Sequence, residues 1–236
     1  MSSDDGALLS ATFWEAGYEH LVELVHQRDA LAHRRLNSLD VAVYDAAGTR
    51  LGGAPVDPRL EALDLSALVP ELAASVDRAM VTFDARYDTR VFNYRPHHYA
   101  FLHRLGAETP PLYYAVNAVL GGVPDRIGAT NINNFETYVF RRQPLGARFS
   151  VVLGNLARFA TAEAQLFAYY GSERVARDVT LGPKAHVLVE VASEREGRRL
   201  QRVEVKALFR LASYVVGRRV DSGDIVLFDH LFTYIK

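Results

Sequence analysis

Val203, Val205, Ala207, Phe209 and Leu211 alternate with Arg202, Glu204, Lys206, Leu208 and Arg210. Side chains of an extended strand point to opposite faces in turn, so this run demands a sheet buried on one side and wetted on the other. A helix would scatter the same apolar residues around its circumference. The strand is read over 200–213, and shorter runs follow one another near 149–159, 163–170, 175–181, 185–192 and 224–235 with turn residues between them. That spacing predicts an antiparallel sandwich or barrel. Ile225–Phe232 is apolar on both faces, which marks a central strand.

Upstream, Leu39, Val41 and Val43 oppose Asp40, Ala42 and Tyr44, and Asp45-Ala46-Ala47-Gly48 supplies a turn. Further strands are read near 79–86, 97–104 and 129–141. The interval 52–77, with Gly52-Gly53, Pro55, Pro58 and Pro70, reads as a loop with one or two helical turns. Thr12-Phe13-Trp14-Glu15 has the form of a capping box, and Trp14, Tyr18, Leu21, Val22 and Val25 recur at helical spacing. Together they predict a long amphipathic helix running to about Leu36, with His20, His26 and His33 along its rim.

The expectation is therefore an all-β, mainly antiparallel protein. Residues 1–37 form a helix packed on the β region, residues 38–145 a first β-rich domain, and residues 146–236 a second sandwich. Ala42-Val43-Tyr44 with Gly48-Thr49-Arg50 is similar to Ala168-Tyr169-Tyr170 with Gly171-Ser172-Glu173-Arg174, a likeness that a duplication and coincidence explain equally well.

Composition narrows the function classes. A formal net charge of -1 gives no general pull towards nucleic acid or an anionic membrane. The absence of cysteine removes disulfides, thiolate ligands and a thiol nucleophile. No apolar run is long enough to span a bilayer, and Met1-Ser2-Ser3-Asp4-Asp5 lacks the features of a signal peptide, so a cytoplasmic location is expected. Phosphate-binding glycine loops, dinucleotide fingerprints and the Gly-x-Ser-x-Gly elbow are all missing. The basic run Arg195–Arg210 reads as a wet strand face and an exposed hairpin.

Chemistry concentrates in Arg95-Pro96-His97-His98-Tyr99-Ala100-Phe101-Leu102-His103. Alternation places His97, Tyr99, Phe101 and His103 on one face, with His97 and His103 roughly 20 Å apart. One metal ion cannot take both from a straight strand. A zinc or iron site would combine His97 or His103 with Glu136 or Asp84. The same pattern also fits histidines that cap a strand whose aromatic residues belong to the core.

Thr130–Tyr138 carries Asn131, Asn133 and Glu136 in a strand context, side chains suited to a polar ligand. Local backbone hydrogen bonding is their alternative employment. The stretch 109–124, with Tyr113, Tyr114 and Gly121-Gly122, reads as a covering loop. Asp229-His230 is a second candidate, read as a structural ion pair with Arg210 or Arg218. The leading expectation is a non-catalytic binding or assembly module holding a sugar, peptide or other polar small molecule between His97, Tyr99, His103, Tyr113, Tyr114, Asn131, Asn133 and Glu136. The alternatives are a metal-dependent enzyme using His97, His103 and Glu136, and a homo-oligomer assembled through the N-terminal helix.

Overall fold

The computed structural model describes residues 7–24, 36–57, 59–68, 76–87, 98–116, 118–119, 134–144 and 146–233. The chain divides into two compact units, residues 1–121 and 122–236. The first contains β1 (Ala7–Glu15), β2 (Tyr18–Glu23), β3 (Leu36–Tyr44), β4 (Arg50–Val56), β5 (Ala62–Asp64), the one-turn helix α1 (Leu65–Leu68), β6 (Arg78–Tyr87), β7 (His98–Arg104), β8 (Leu112–Val116) and β9 (Ala118–Val119). The second contains β10 (Asn134–Val139), β11 (Ala147–Gly154), β12 (Ala162–Tyr170), β13 (Glu173–Leu181), β14 (His186–Val191), β15 (Glu194–Arg195), β16 (Arg198–Arg199), β17 (Arg202–Ala207), β18 (Ala212–Arg219), β19 (Ile225–His230) and β20 (Phe232–Thr233).

The first unit pairs a five-stranded sheet, β4-β3-β6-β1-β9, with a four-stranded sheet, β5-β2-β7-β8. The second has β13-β12-β17-β10-β20 and β14-β11-β18-β19, with the β15–β16 hairpin standing apart. Numbering strands from the start of each unit and setting the hairpin aside, both units read 4-3-6-1-9 in one sheet and 5-2-7-8 in the other. The connectivity is the same. Helix α1 and the β15–β16 hairpin fill the same place, between the fifth and sixth strands. The likeness between residues 42–50 and 168–174 falls on equivalent hairpins, β3–β4 and β12–β13. Its residue match is loose, because Tyr44 is half-buried whereas Tyr170 is fully buried.

The all-β expectation holds, but the long N-terminal helix is absent. Thr12–Glu15 ends strand β1, and Glu15 does not cap a helix: Arg78 donates to it across the β1–β6 ladder, with Nη2 at 2.6 Å. Gly17, at φ 81, turns the chain from the five-stranded sheet into β2 of the four-stranded one. A left-handed backbone of this kind favours glycine, and here it stops any helix. β2 then alternates strictly, with Tyr18, His20 and Val22 inward and Glu19, Leu21 and Glu23 outward. The apparent helical stripe thus joined residues of two strands in two sheets. Assembly through that stripe fails with it, since Trp14, Tyr18 and Val22 are buried in the first unit. Val25, His26 and His33 lie outside the described residues.

β1 and β6 are buried on both faces, as Ala11, Thr12, Phe13, Met80, Val81 and Phe83 record. The core of the second unit lies between its sheets and is built from Phe149, Val151, Leu153, Leu166, Ala168, Val203, Val205 and Val215. The expected strand over 200–213 is two strands, β17 and β18, separated by Leu208–Leu211. Part of the expected covering loop, Leu112–Val116, is strand β8 paired with β7. β10 pairs with β17 and β20 and belongs to the second unit.

Gly53 offers a direct test of the β3–β4 hairpin. It sits at φ 135, and a Cβ there would fall on the Val41 carbonyl and lie 2.7 Å from the Ala42 Cα. Gly53→Ala is expected to destabilise the first unit by roughly 2–3 kcal/mol. Urea unfolding followed by the emission of Trp14, the sole tryptophan, measures it.

Candidate functional site

The outer face of β2, β7 and β8 gathers most of the described candidate residues. β7 alternates as its sequence requires: His98, Ala100 and Leu102 are buried, while Tyr99, Phe101 and His103 face out and are half-buried. Pairing with β8 sets Tyr113 opposite Phe101, and pairing with β2 sets Leu21 opposite Phe101 and Glu23 opposite Tyr99. The rings of Tyr99 and Tyr113 stack with centroids 5.1 Å apart and planes 14° from parallel. Phe101 leans on Tyr113 at 4.9 Å. Tyr113 keeps 56% of its surface exposed and Leu21 38%, so apolar surface on this face meets water.

Carboxylates border this aromatic strip. Glu19 lies 3.9 Å from His103 Nδ1. Glu23 faces Tyr99, and Asp64 of β5 faces Leu21. Burial, the Tyr99 hydroxyl and the Glu23 carboxylate together push the Tyr113 hydroxyl above its ordinary pKa. The outward positions of these strands carry no lysine or arginine among the described residues. Glu19, Leu21 and Glu23 are not among the expected site residues, because a helix over this segment would not align them with Tyr99 and Phe101. Read as a strand, Tyr18–Glu23 shows the period-two signal that would have found them.

The inner face has a different role. Tyr114, one of the expected ligand contacts, points into the core with its hydroxyl 2.6 Å from Thr12 Oγ1 and 2.5 Å from His20 Nε2. This chain ties β1 of one sheet to β2 and β8 of the other. His20 is fully buried, and its Nδ1 has no hydrogen-bond partner among the described residues. Burial lowers the His20 pKa to about 3 and raises that of Tyr114 above the ordinary tyrosine range. Both side chains are therefore neutral near pH 7.

The remaining candidates are dispersed. His97, Asn131 and Asn133 lie outside the described residues. Glu136 is buried on β10 in the second unit, at 6% exposure. Asp84 is bound by Arg86, whose Nε lies 3.1 Å from Oδ1. No three histidine, aspartate or glutamate side chains converge on a metal position among the described residues. Asp229 Oδ1 accepts the His230 backbone N–H at 2.9 Å and lies 3.3 Å from His230 Nδ1, an arrangement confined to two neighbours on β19.

In the second unit, charge is compensated in place. The Tyr169 hydroxyl donates to Glu204, Arg202 Nε lies 3.0 Å from the other oxygen of the same carboxylate, and the Arg202 guanidinium covers the Tyr169 ring at 4.1 Å. Arg195 pairs with Glu173 at 2.7 Å. The basic run 195–210 is thus partly neutralised by its own neighbours. A cleft lined by Leu166, Tyr170, Val175 and Val191 encloses about 70 Å³, room for water rather than for a ligand of several hundred Å³. Among the described residues no helix is long and apolar enough to cross a membrane. Comparison with known proteins finds no family that matches the chain and no similar curated protein.

Proposed function

We propose that this protein is a non-catalytic binding module whose recognition surface is the outer face of β2, β7 and β8. The observation that carries this reading is the half-exposed strip of Tyr99, Phe101 and Tyr113, flanked by Glu19, Glu23 and His103. Rigid aromatic side chains supply large contact area at low entropic cost, and carboxylates at their edge supply direction through hydrogen bonds. Open to solvent, such a face suits a peptide or an extended polar ligand better than a small molecule that needs enclosure.

The test compares wild-type protein with the Tyr99→Ala/Tyr113→Ala variant in titrations against panels of short peptides and neutral oligosaccharides. Ligands that bind the wild type are expected to lose roughly 10- to 100-fold in affinity, as anchors at an interface do. The melting temperature should fall modestly, because Tyr99 is half-buried and its stacking on Tyr113 is lost, so affinities are compared well below both transitions. Equal binding by both proteins would move recognition elsewhere, and no binding by the wild type to either panel would remove the reading.

A further inference from the structure

The shared connectivity allows the same face to be compared in the two units. The four-stranded sheet of the second unit, β14-β11-β18-β19, is the counterpart of β5-β2-β7-β8. On its outer side Val152 is 0% exposed, Val216 1% and Tyr214 2%. That copy of the face buries an apolar centre and leaves Arg148 and Glu190 exposed towards its margins. The other copy is left with Tyr113 at 56% exposure and carries Glu19, Glu23 and Asp64 at outward positions. Carboxylates beside half-exposed aromatic rings disfavour an uncharged apolar cover, because it would strip their water without repayment. A cover that brings positive charge meets both features, since guanidinium and ammonium groups pack on tyrosine faces and pair with carboxylates.

From this we infer that the outer face of β2, β7 and β8 docks a protein segment rich in arginine or lysine. The inference rests on the binding-module reading above and specifies its partner. Arginine is the better fit, because its planar cation stacks on Tyr113 or Tyr99 while its N–H groups reach Glu23 or Glu19. Recognition is expected to weaken with salt, as contacts between exposed charges do at ionic strengths where screening reaches about 8–10 Å.

The experiment titrates the full chain with hexa-arginine, hexalysine, hexaglutamate and cellohexaose, mapping each by amide and aromatic NMR shifts. Hexa-arginine is expected to shift Tyr99, Tyr113 and Glu23, hexalysine to do so more weakly, and hexaglutamate to leave them unmoved. In Glu19→Gln/Glu23→Gln/Asp64→Asn, affinity for hexa-arginine should fall at least about tenfold, while Tyr99→Ala/Tyr113→Ala should weaken it separately. Unchanged affinity in the carboxamide variant, or hexa-arginine shifts confined to other surfaces, would overturn the inference. Cellohexaose shifting the aromatic strip while hexa-arginine does not would overturn it and leave the binding-module reading standing. If no probe shifts the strip, both fail.

Discussion

Lowering the pH from 6.5 to 5 is expected to cost the first unit roughly 2 kcal/mol of stability through His20 alone. His20 is fully buried, and its folded pKa of about 3 lies well below the ordinary 6.5. The unfolded chain therefore binds a proton between pH 6.5 and 3 that the folded chain refuses. A folded pKa lowered in a base gives stability that is complete above the unfolded value and lost as pH falls through this window, at about 1.4 kcal/mol per pH unit. Protonation would place charge in a cavity whose neighbours, Tyr114 and Thr12, are neutral hydroxyls, with no hydrogen-bond acceptor at Nδ1 among the described residues.

His20→Phe should be close to wild type at pH 7, because Tyr114 keeps its bond to Thr12. It should surpass wild type at pH 5, where the carboxylates common to both proteins cancel from the comparison. Urea midpoints read from Trp14 emission at the two pH values give the difference. Parallel pH dependence in the two proteins would mean that the imidazole is not excluded from protonation by the fold.

The second large effect is expected at Asn155, a fully buried amide that organises two loops of the second unit. Its Nδ2 lies 2.8 Å from the Ala160 carbonyl oxygen, 3.0 Å from that of Leu181 and 2.9 Å from that of Gly182. Its Oδ1 accepts the Ala157 backbone N–H at 2.9 Å. Two amide hydrogens serve three carbonyls, so at least one is shared. Asn155→Ala leaves those carbonyls and the Ala157 N–H without the side chain that met them, at about 3 kcal/mol in total. Asn155→Asp is the sharper probe. It keeps the shape and the acceptor but turns a carboxylate towards three carbonyl oxygens, so its loss should equal or exceed that of alanine. Denaturation followed by far-UV circular dichroism reads both variants, and a loss below about 1 kcal/mol for alanine would show that these loops are held by something else.

How much of this was legible depended on whether one face of a strand met water. β17 and β7 alternate because each has a wet side, and the grouping of Tyr99, Phe101 and His103 followed from counting alone. Even there Glu204 broke the pattern. It faces outward yet is buried at 5%, held by Arg202 two residues earlier on the same face and by Tyr169, whose place only strand pairing reveals. β1 gave no alternation, being buried on both sides, and its residues fell by accident into a helical spacing with those of β2. Gly17 was the available warning, since an aromatic and β-branched segment interrupted by glycine favours strand, turn and strand. The error had a cost at the site, because Glu19, Leu21 and Glu23 complete the face that β7 only begins. Adjacency groups Tyr114 with Tyr113 in a loop, whereas a strand sends neighbours to opposite faces.

We propose the strip of Tyr99, Phe101 and Tyr113, with its acidic border, as a recognition surface for a cationic partner. Aromatic NMR of the full chain during a hexa-arginine titration tests it most directly. Saturable shifts of the Tyr99 and Tyr113 rings are expected, weakening with added salt and with Glu19→Gln/Glu23→Gln/Asp64→Asn. Rings that stay still while the peptide binds another surface would contradict it.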